Sequence, residues 1–187
     1  MEADDDADAV AASLTQPACF GVLFDRYHAA IWAFLARHAG RDAADELAGD
    51  VFVTAFRSRH RYDPACGTVR AWLYGIAMNL QRTRWRSDAR QARALERLAG
   101  GMTEAVTPIE AADDVLDGRQ ELERVRDAMA SLSEPHREVL TLCVWEQLSY
   151  DEVASALGVE VGTVRSRLAR ARNELRSFVD CKGGARG

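Results

Sequence analysis

Five polar and basic side chains near the C-terminus recur at helical spacing. At about 3.6 residues per turn, Thr163, Ser166 and Arg170 share one face of a predicted helix, with Arg165 and Arg167 at its flanks. Guanidinium groups bind phosphate and can pair with guanine through two hydrogen bonds. These five residues, the C-terminal face, therefore indicate a surface that reads duplex DNA. An amphipathic hairpin with a solvated basic side is the alternative.

The residues around this face predict how it is positioned. Ser149 and Glu152 have the spacing of a capping box, in which each side chain satisfies a backbone N–H of the other residue. Gly158 can adopt the left-handed conformation that ends a helix. The other side of the second helix carries a predicted buried stripe of Val161, Val164, Leu168, Ala171 and Leu175. Two helices joined by a tight turn, the second rich in arginine, are typical of a helix-turn-helix.

A second set of candidate residues lies in the middle of the chain. On a predicted helix that Thr68 caps, one row contains Trp72, Asn79, Thr83 and Arg86, with Arg82 close by. Rings stack on unpaired bases while arginine holds the backbone, so this row suits single-stranded DNA. Tyr62 and Asp63, in the loop before the helix, could form one wall of a pocket for an extruded base. For Trp72, packing inside the fold is an equal alternative.

An acidic and apolar strip lies on the helix predicted over about residues 42–57. Glu46 and Asp50 are one turn apart, with Gly49 and Val53 beside them. Such a strip could dock on a basic partner helix. From the residues alone, acids that complement the dipole of a helix N-terminus are the simpler explanation.

The periodicity of the whole chain is helical, with no convincing alternating strand. We expect an all-α fold of two small helical domains joined by a flexible acidic linker, the C-terminal domain containing the helix-turn-helix. The predicted segments are a disordered acidic arm (1–16), a first domain (17–97), the linker (98–118), a second domain (119–180) and a loose tail (181–187).

Charge is divided unevenly along a chain whose net charge is −5. Residues 57–97 carry ten arginines against three acids, a balance of +7, and residues 98–123 carry seven acids against one arginine, a balance of −6. From residue 161 onward the balance is +5. Two basic blocks separated by an acidic one suggest two nucleic-acid faces joined by a segment that must not bind phosphate.

Several classes of protein are disfavoured by the sequence. No apolar run approaches membrane-spanning length and no signal peptide opens the chain, so we expect a cytoplasmic protein without membrane insertion. The four cysteines and four histidines stand apart, without the spacing of a zinc site or of nucleophile chemistry. We therefore expect no metal, no cofactor, no catalytic residue and no enzymatic activity.

In their order along the chain, these motifs resemble the extracytoplasmic-function subfamily of bacterial sigma factors, the smallest promoter-recognition subunits of RNA polymerase. Residues 45–56 are similar to the region that contacts the clamp helices of the polymerase, with the sequence DELAGDVFVTAF. Residues 63–79 are similar to the segment that melts and reads the −10 element, with the sequence DPACGTVRAWLYGIAMN. Residues 132–175 resemble the region that reads the −35 element.

The resemblance implies a role for each set of residues. Core RNA polymerase would be contacted by the acidic strip, which consists of Glu46, Asp50 and Val53. This implied role replaces the helix-dipole explanation that the residues alone favoured. The −10 element would be bound by what we call the central face: Tyr62, Asp63, Trp72, Asn79, Arg82 and Arg86. The C-terminal face would read the −35 element in the major groove. An anti-sigma factor is a further expected partner. The alternative function is a stand-alone helix-turn-helix regulator that binds duplex DNA without polymerase.

Two positions and one short stretch depart from the family pattern. Thr83 stands where the family often has an acid, and residues 82–86 are more basic than usual. Gly49 replaces a polar residue, commonly glutamine. These departures affect the −10 sequence that the chain would prefer, but not the role of the region.

Overall fold

The computed structural model describes residues 2–98, 125 and 127–183, which fall into two compact units, Met1–Ala111 and Ala112–Gly187. Every regular element among these residues is helical, which confirms the all-α prediction. The predicted linker lies outside the described residues except for Leu98, and so does the start of the predicted second domain, residues 119–124.

Within residues 2–98 the first unit contains four α-helices: α1 (Glu2–Ser13), α2 (Gly21–Ala39), α3 (Arg41–Ser58) and α4 (Val69–Leu98). A short 3₁₀ helix, Pro17–Phe20, leads into α2, and two 3₁₀ turns, Arg59–Arg61 and Pro64–Cys66, connect α3 to α4. The α2–α3 connection is one residue, Gly40, whose φ of 83° is a conformation that glycine adopts at little cost.

The core of the first unit lies where α2, α3 and α4 pack together. Phe34 of α2 and Tyr74 of α4 are almost fully buried, and their rings meet edge to face with centroids 5.3 Å apart. Such a pair contributes about 0.5–1.5 kcal/mol beyond the burial of its area.

The prediction of a disordered arm over residues 1–16 is wrong for Glu2–Ser13, which form α1. Asp6, Val10 and Ser13, spaced four and three residues apart, are buried on one side of this helix. The carboxylate of Asp6 accepts hydrogen bonds from the Arg26 guanidinium and the Tyr27 hydroxyl. These partners on α2 compensate the burial of a charge, so an acid-rich segment can fold against the unit.

The second unit begins, among the described residues, with a helical segment that includes residues 127–131. It continues with α5 (Glu134–Leu140), a π-helical turn (Thr141–Trp145), α6 (Tyr150–Leu157) and α7 (Val161–Gly183). The prediction of a loose tail from residue 181 is wrong for residues 181–183, which belong to α7, and residues 184–187 lie outside the described part.

The core of the second unit forms where α7 packs against α5 and α6. Val164, Leu168 and Ala171 of the predicted stripe are buried, whereas Val161 and Leu175 at its ends are partly exposed. The stripe is therefore confirmed at its centre, and it fixes which side of α7 faces solvent. Among the described residues, no helix combines the length and apolar content needed to cross a membrane.

Candidate nucleic-acid interfaces

The helix-turn-helix of the second unit is held by two local devices that the sequence predicts. The Ser149 hydroxyl oxygen accepts from the Glu152 backbone N–H at 3.2 Å, and Glu152 Oε2 accepts from the Ser149 N–H at 2.9 Å. This capping box fixes the start of α6. At its end Gly158 has φ 64°, and the Val159 N–H donates to the Ala154 carbonyl at 3.0 Å. Both ends of α6 are thus fixed, and the turn at Gly158 leads into α7.

The C-terminal face lies on the solvent side of α7. Arg165, Ser166 and Arg170 are exposed, while Thr163 and Arg167 are partly exposed. The Ser166 hydroxyl donates to the Thr163 carbonyl at 3.0 Å. The structure therefore brings all five predicted residues to one accessible surface.

Tyr150 is a candidate residue of this surface that the sequence reasoning missed. It is 38% exposed at the first position of α6, and the Arg165 guanidinium carbon lies 5.9 Å from its ring centroid. A ring at this distance attracts the cation and restricts where Arg165 points. The capping box places Tyr150 in the first turn of α6, but its contact with Arg165 depends on how α6 packs against α7, which no local signal in the sequence gives.

The loop between α3 and α4 is pre-formed around Tyr62 and Trp72. Their ring centroids are 5.2 Å apart with planes inclined by 42°, and the Tyr62 hydroxyl donates to the Gly67 carbonyl at 2.9 Å. Burial raises the pKa of Tyr62, and the carboxylates of Asp6 and Asp63 raise it further. The phenol therefore stays neutral and keeps its proton as a donor.

Asp63 shapes the same loop. Its side chain accepts from the Ala65 backbone N–H at 2.9 Å, and the Cys66 thiol lies 3.5 Å from its other oxygen. This contact, the charge of Asp63 and slight desolvation raise the pKa of the exposed Cys66 thiol. At neutral pH the thiol is therefore less ionised than an ordinary cysteine.

The other members of the central face lie further along α4. Thr68 begins the helix as predicted, accepting from the Ala71 N–H at 3.2 Å. Asn79 and Arg86 are exposed, and Arg82 donates to the Asn79 side-chain oxygen at 3.4 Å. Seven residues separate Trp72 from Asn79, roughly 10 Å along the helix axis. The aromatic pair and the amide can thus contact different nucleotides of one strand.

The acidic strip of α3 is open to solvent. Glu46 and Asp50 are exposed, and Val53 is 47% exposed. Glu46 forms an ion pair of 3.1 Å with Arg84 of α4. A Cβ added to Gly49 would meet no atom within 4 Å, so packing within the chain does not require a glycine there.

Phe24 of α2 is a further exposed apolar residue of the first unit. Its ring is 42% exposed and packs edge to face on Phe52, with centroids 4.9 Å apart. Phe52 precedes Val53 on α3. An apolar side chain this exposed is a candidate contact for another protein.

Metal ligands and reactive thiols are the remaining kinds of candidate site among the described residues. Across residues 2–98 and 127–183, no three His, Cys, Asp or Glu side chains are grouped so that they could hold a metal ion. Cys19, Cys66 and Cys143 are free thiols. Burial raises the pKa of Cys143, which makes it a poor nucleophile at neutral pH.

Two family models match the chain. One, described as sigma-70 region 2, matches residues 23–91, and the other, described as sigma-70 region 4, matches residues 122–175. The first covers most of α2 and all of α3 with the central face. The second covers the helix-turn-helix and the C-terminal face.

Curated relatives agree with these matches. The RNA polymerase sigma factor HrpL of Pseudomonas syringae pv. syringae is 34% identical over 142 residues, which are 74% of each chain. The ECF RNA polymerase sigma factor SigK of Mycobacterium sp. (strain JLS) is 30% identical over 166 residues, which are 88% of this chain and 83% of the relative.

Two solved structures share the fold. CnrH, solved in complex with the cytosolic domain of CnrY, has a TM-score of 0.68 at 27% identity, covering 95% of this chain and 99% of the other. The sigma factor RpoE, solved with the anti-sigma factor NepR from Bartonella quintana, has a TM-score of 0.64 at 26% identity, covering 87% and 98%.

Proposed function

The chain belongs to the extracytoplasmic-function family of RNA polymerase sigma factors, and we propose how its described residues share the work of promoter recognition. It is a transcription initiation factor that directs core RNA polymerase to specific promoters and assists their opening. Sigma factors are not enzymes. The free energy of binding the extruded strand drives promoter opening. We place this work in the cytoplasm, with the polymerase and the promoter.

The central face binds the −10 element as a single strand. The observation that carries the proposal is the pre-formed pair of Tyr62 and Trp72, whose rings lie beside the loop that Asp63 closes. An extruded base gains about 1–3 kcal/mol by stacking on such a ring. Asn79 can then hydrogen-bond a base edge, while Arg82 and Arg86 hold phosphates.

The C-terminal face reads the −35 element in the major groove. Arg165 and Arg170 are exposed on α7, on the side opposite its buried stripe. A guanidinium paired with guanine through two hydrogen bonds is worth about 1–3 kcal/mol of discrimination against a wrong base. Thr163, Ser166 and Arg167 contribute contacts to bases or phosphates beside them.

The acidic strip docks on core polymerase. Exposed Glu46 and Asp50, one turn apart on the helix that carries exposed Val53, offer carboxylates close to an apolar side chain, which suits a basic amphipathic helix. An anti-sigma factor is a further proposed partner, supported by the RpoE complex with NepR. Charge reversal at Glu46 and Asp50 is expected to weaken co-purification with core polymerase, with Asp151→Lys in α6 as the matched control. Equal recovery of the strip variant and the wild type would refute docking through this strip.

The experiment that tests the function compares promoter binding with and without core polymerase. Gel-shift titrations on a duplex carrying both elements are expected to give a specific complex only when both proteins are present. Trp72→Ala and Arg170→Ala are expected to weaken that complex at different elements. A stable dimer of the chain on a palindromic duplex, formed without polymerase, would instead establish the stand-alone regulator, which neither the fold nor the relatives favour.

A further inference from the structure

α1 is an acidic helix to which promoter recognition, as proposed above, assigns no role. Residues 1–16 carry five acids and no base. The side chain of Asp5 is 75% exposed, and Asp8 is exposed as well. Asp5 also lies 3.8 Å from the Arg26 guanidinium, so its charge is partly compensated, and Asp8 is exposed to solvent.

The helix is fixed to the first unit on its inner side. Asp6 is 2% exposed and bonded to Arg26 and Tyr27, and Val10 is 2% exposed. At the C-terminal end of α1 the Ser13 carbonyl accepts from Arg59 Nε at 3.3 Å. Because α1 is held at Asp6, Val10 and Ser13, the charges of Asp5 and Asp8 occupy a defined place on the first unit.

That place adjoins the central face. Arg59, which binds the end of α1, begins the 3₁₀ turn that leads directly to Tyr62. The helix also packs against α4, which carries Trp72 and Asn79. The charge of Asp6 is close enough to Tyr62 to contribute to its raised pKa. A DNA strand on the central face therefore passes near fixed carboxylates.

We propose that Asp5 and Asp8 repel phosphates and so lower the affinity of the central face for any DNA strand, which leaves bound only strands that add the contacts of a −10 element. The proposal rests on the −10 role of that face. Non-specific binding is almost entirely electrostatic, whereas a specific site adds stacking and base hydrogen bonds. Fixed acids beside the face weaken both kinds of binding, so that a strand without stacking and base contacts is released whereas a −10 strand, which has those contacts, stays bound.

The test uses the full chain and a fluorescein-labelled single strand of mixed sequence, with affinity measured by anisotropy. Asp5→Asn and Asp8→Asn are made singly and together. Each is expected to raise affinity by roughly two-fold at about 10 mM salt, where charges interact over about 30 Å. Above about 0.3 M salt the gain is expected to vanish because of screening. Thermal unfolding shows that the variants remain folded.

Asp42→Asn is the matched control. Asp42 is an exposed aspartate in the first turn of α3, and the loop that contains Tyr62 follows the other end of that helix, at Ser58. Sixteen residues of helix correspond to roughly 24 Å. The control removes the same charge from further away, so it is expected to raise affinity by less than the α1 variants at about 10 mM salt and not at all above about 0.3 M.

The outcomes separate this inference from the proposed function. Unchanged affinity in the Asp5 and Asp8 variants, or an equal gain from Asp42→Asn, overturns the role of α1. If Trp72→Ala still impairs promoter opening in that case, the −10 role of the central face stands without it. If Trp72→Ala leaves opening intact, the −10 role fails, whatever the acids do. Gains that are larger at the two α1 positions than at Asp42, and that are confined to low salt, support the inference.

Discussion

Replacing Trp72 with alanine tests the central face most sharply, because the structure allows a structural effect and a functional effect to be estimated separately. Trp72 is partly buried, and its ring packs on Tyr62 at 5.2 Å. Loss of the pair costs about 0.5–1.5 kcal/mol. With the partial burial of the indole, we expect the free energy of unfolding to fall by about 2–3 kcal/mol, below the range for a fully buried tryptophan.

The loop itself should survive this change. Tyr62 keeps its hydrogen bond to the Gly67 carbonyl, and Asp63 keeps its bond from the Ala65 N–H. The functional loss is then the missing stacking surface, about 1–3 kcal/mol per base. Since each 1.4 kcal/mol is ten-fold, the opening equilibrium should fall by about 5- to 150-fold. Permanganate reactivity of unpaired thymines, measured with saturating holoenzyme, reports that equilibrium.

Trp32 provides the control for general destabilisation. It is also partly buried, on α2, and its indole N–H donates to Asp45 at 2.6 Å. Trp32→Ala should lower stability without reducing thymine reactivity at a temperature where both variants are folded. Normal reactivity in Trp72→Ala, or an equal loss in Trp32→Ala, would refute the reasoning.

Three further predictions concern other parts of the chain. Arg165→Ala and Arg170→Ala should each cost about 1–3 kcal/mol at the upstream element, measured by holoenzyme binding to altered −35 sequences; an unchanged sequence preference after both changes would remove the C-terminal face from −35 reading. Gly49→Ala should raise the free energy of unfolding by about 0.5–1 kcal/mol, because an added Cβ meets no neighbour and alanine favours the helix; a lower urea midpoint would contradict this. Asp63→Asn should speed alkylation of Cys66 by iodoacetamide at pH 7.5, since it removes the carboxylate that raises the pKa of that thiol; equal rates would mean that the two side chains are not in contact in solution.

The features that the sequence predicted well depend on residues close together in the chain. The capping box joins Ser149 and Glu152, and Gly158 acts within its own turn. The stripe on α7 needs only the periodicity of one helix. Local geometry decides these features, so they can be predicted without knowing which helices meet.

The features that the sequence missed depend on partners far apart in the chain. The sequence predicts a disordered acidic arm over residues 1–16 because no basic residue lies close to Asp6 in the chain. Its partner Arg26 lies twenty residues away. Phe24 has the spacing of a core residue, yet it lies at the edge of the contact between α2 and α3. The π-helical turn at Thr141–Trp145 precedes Gln147, whose φ is 52°. A left-handed residue other than glycine carries no clear sequence signal.

Run-off transcription with purified core polymerase, on a library of genomic fragments from the organism that encodes this chain, tests the central claim most directly. The account predicts that core polymerase plus this protein produces transcripts from a small set of defined start sites, preceded by shared −35 and −10 elements. Neither protein alone should give those transcripts. Transcript patterns identical with and without the protein, under conditions in which the two co-purify, would contradict the account.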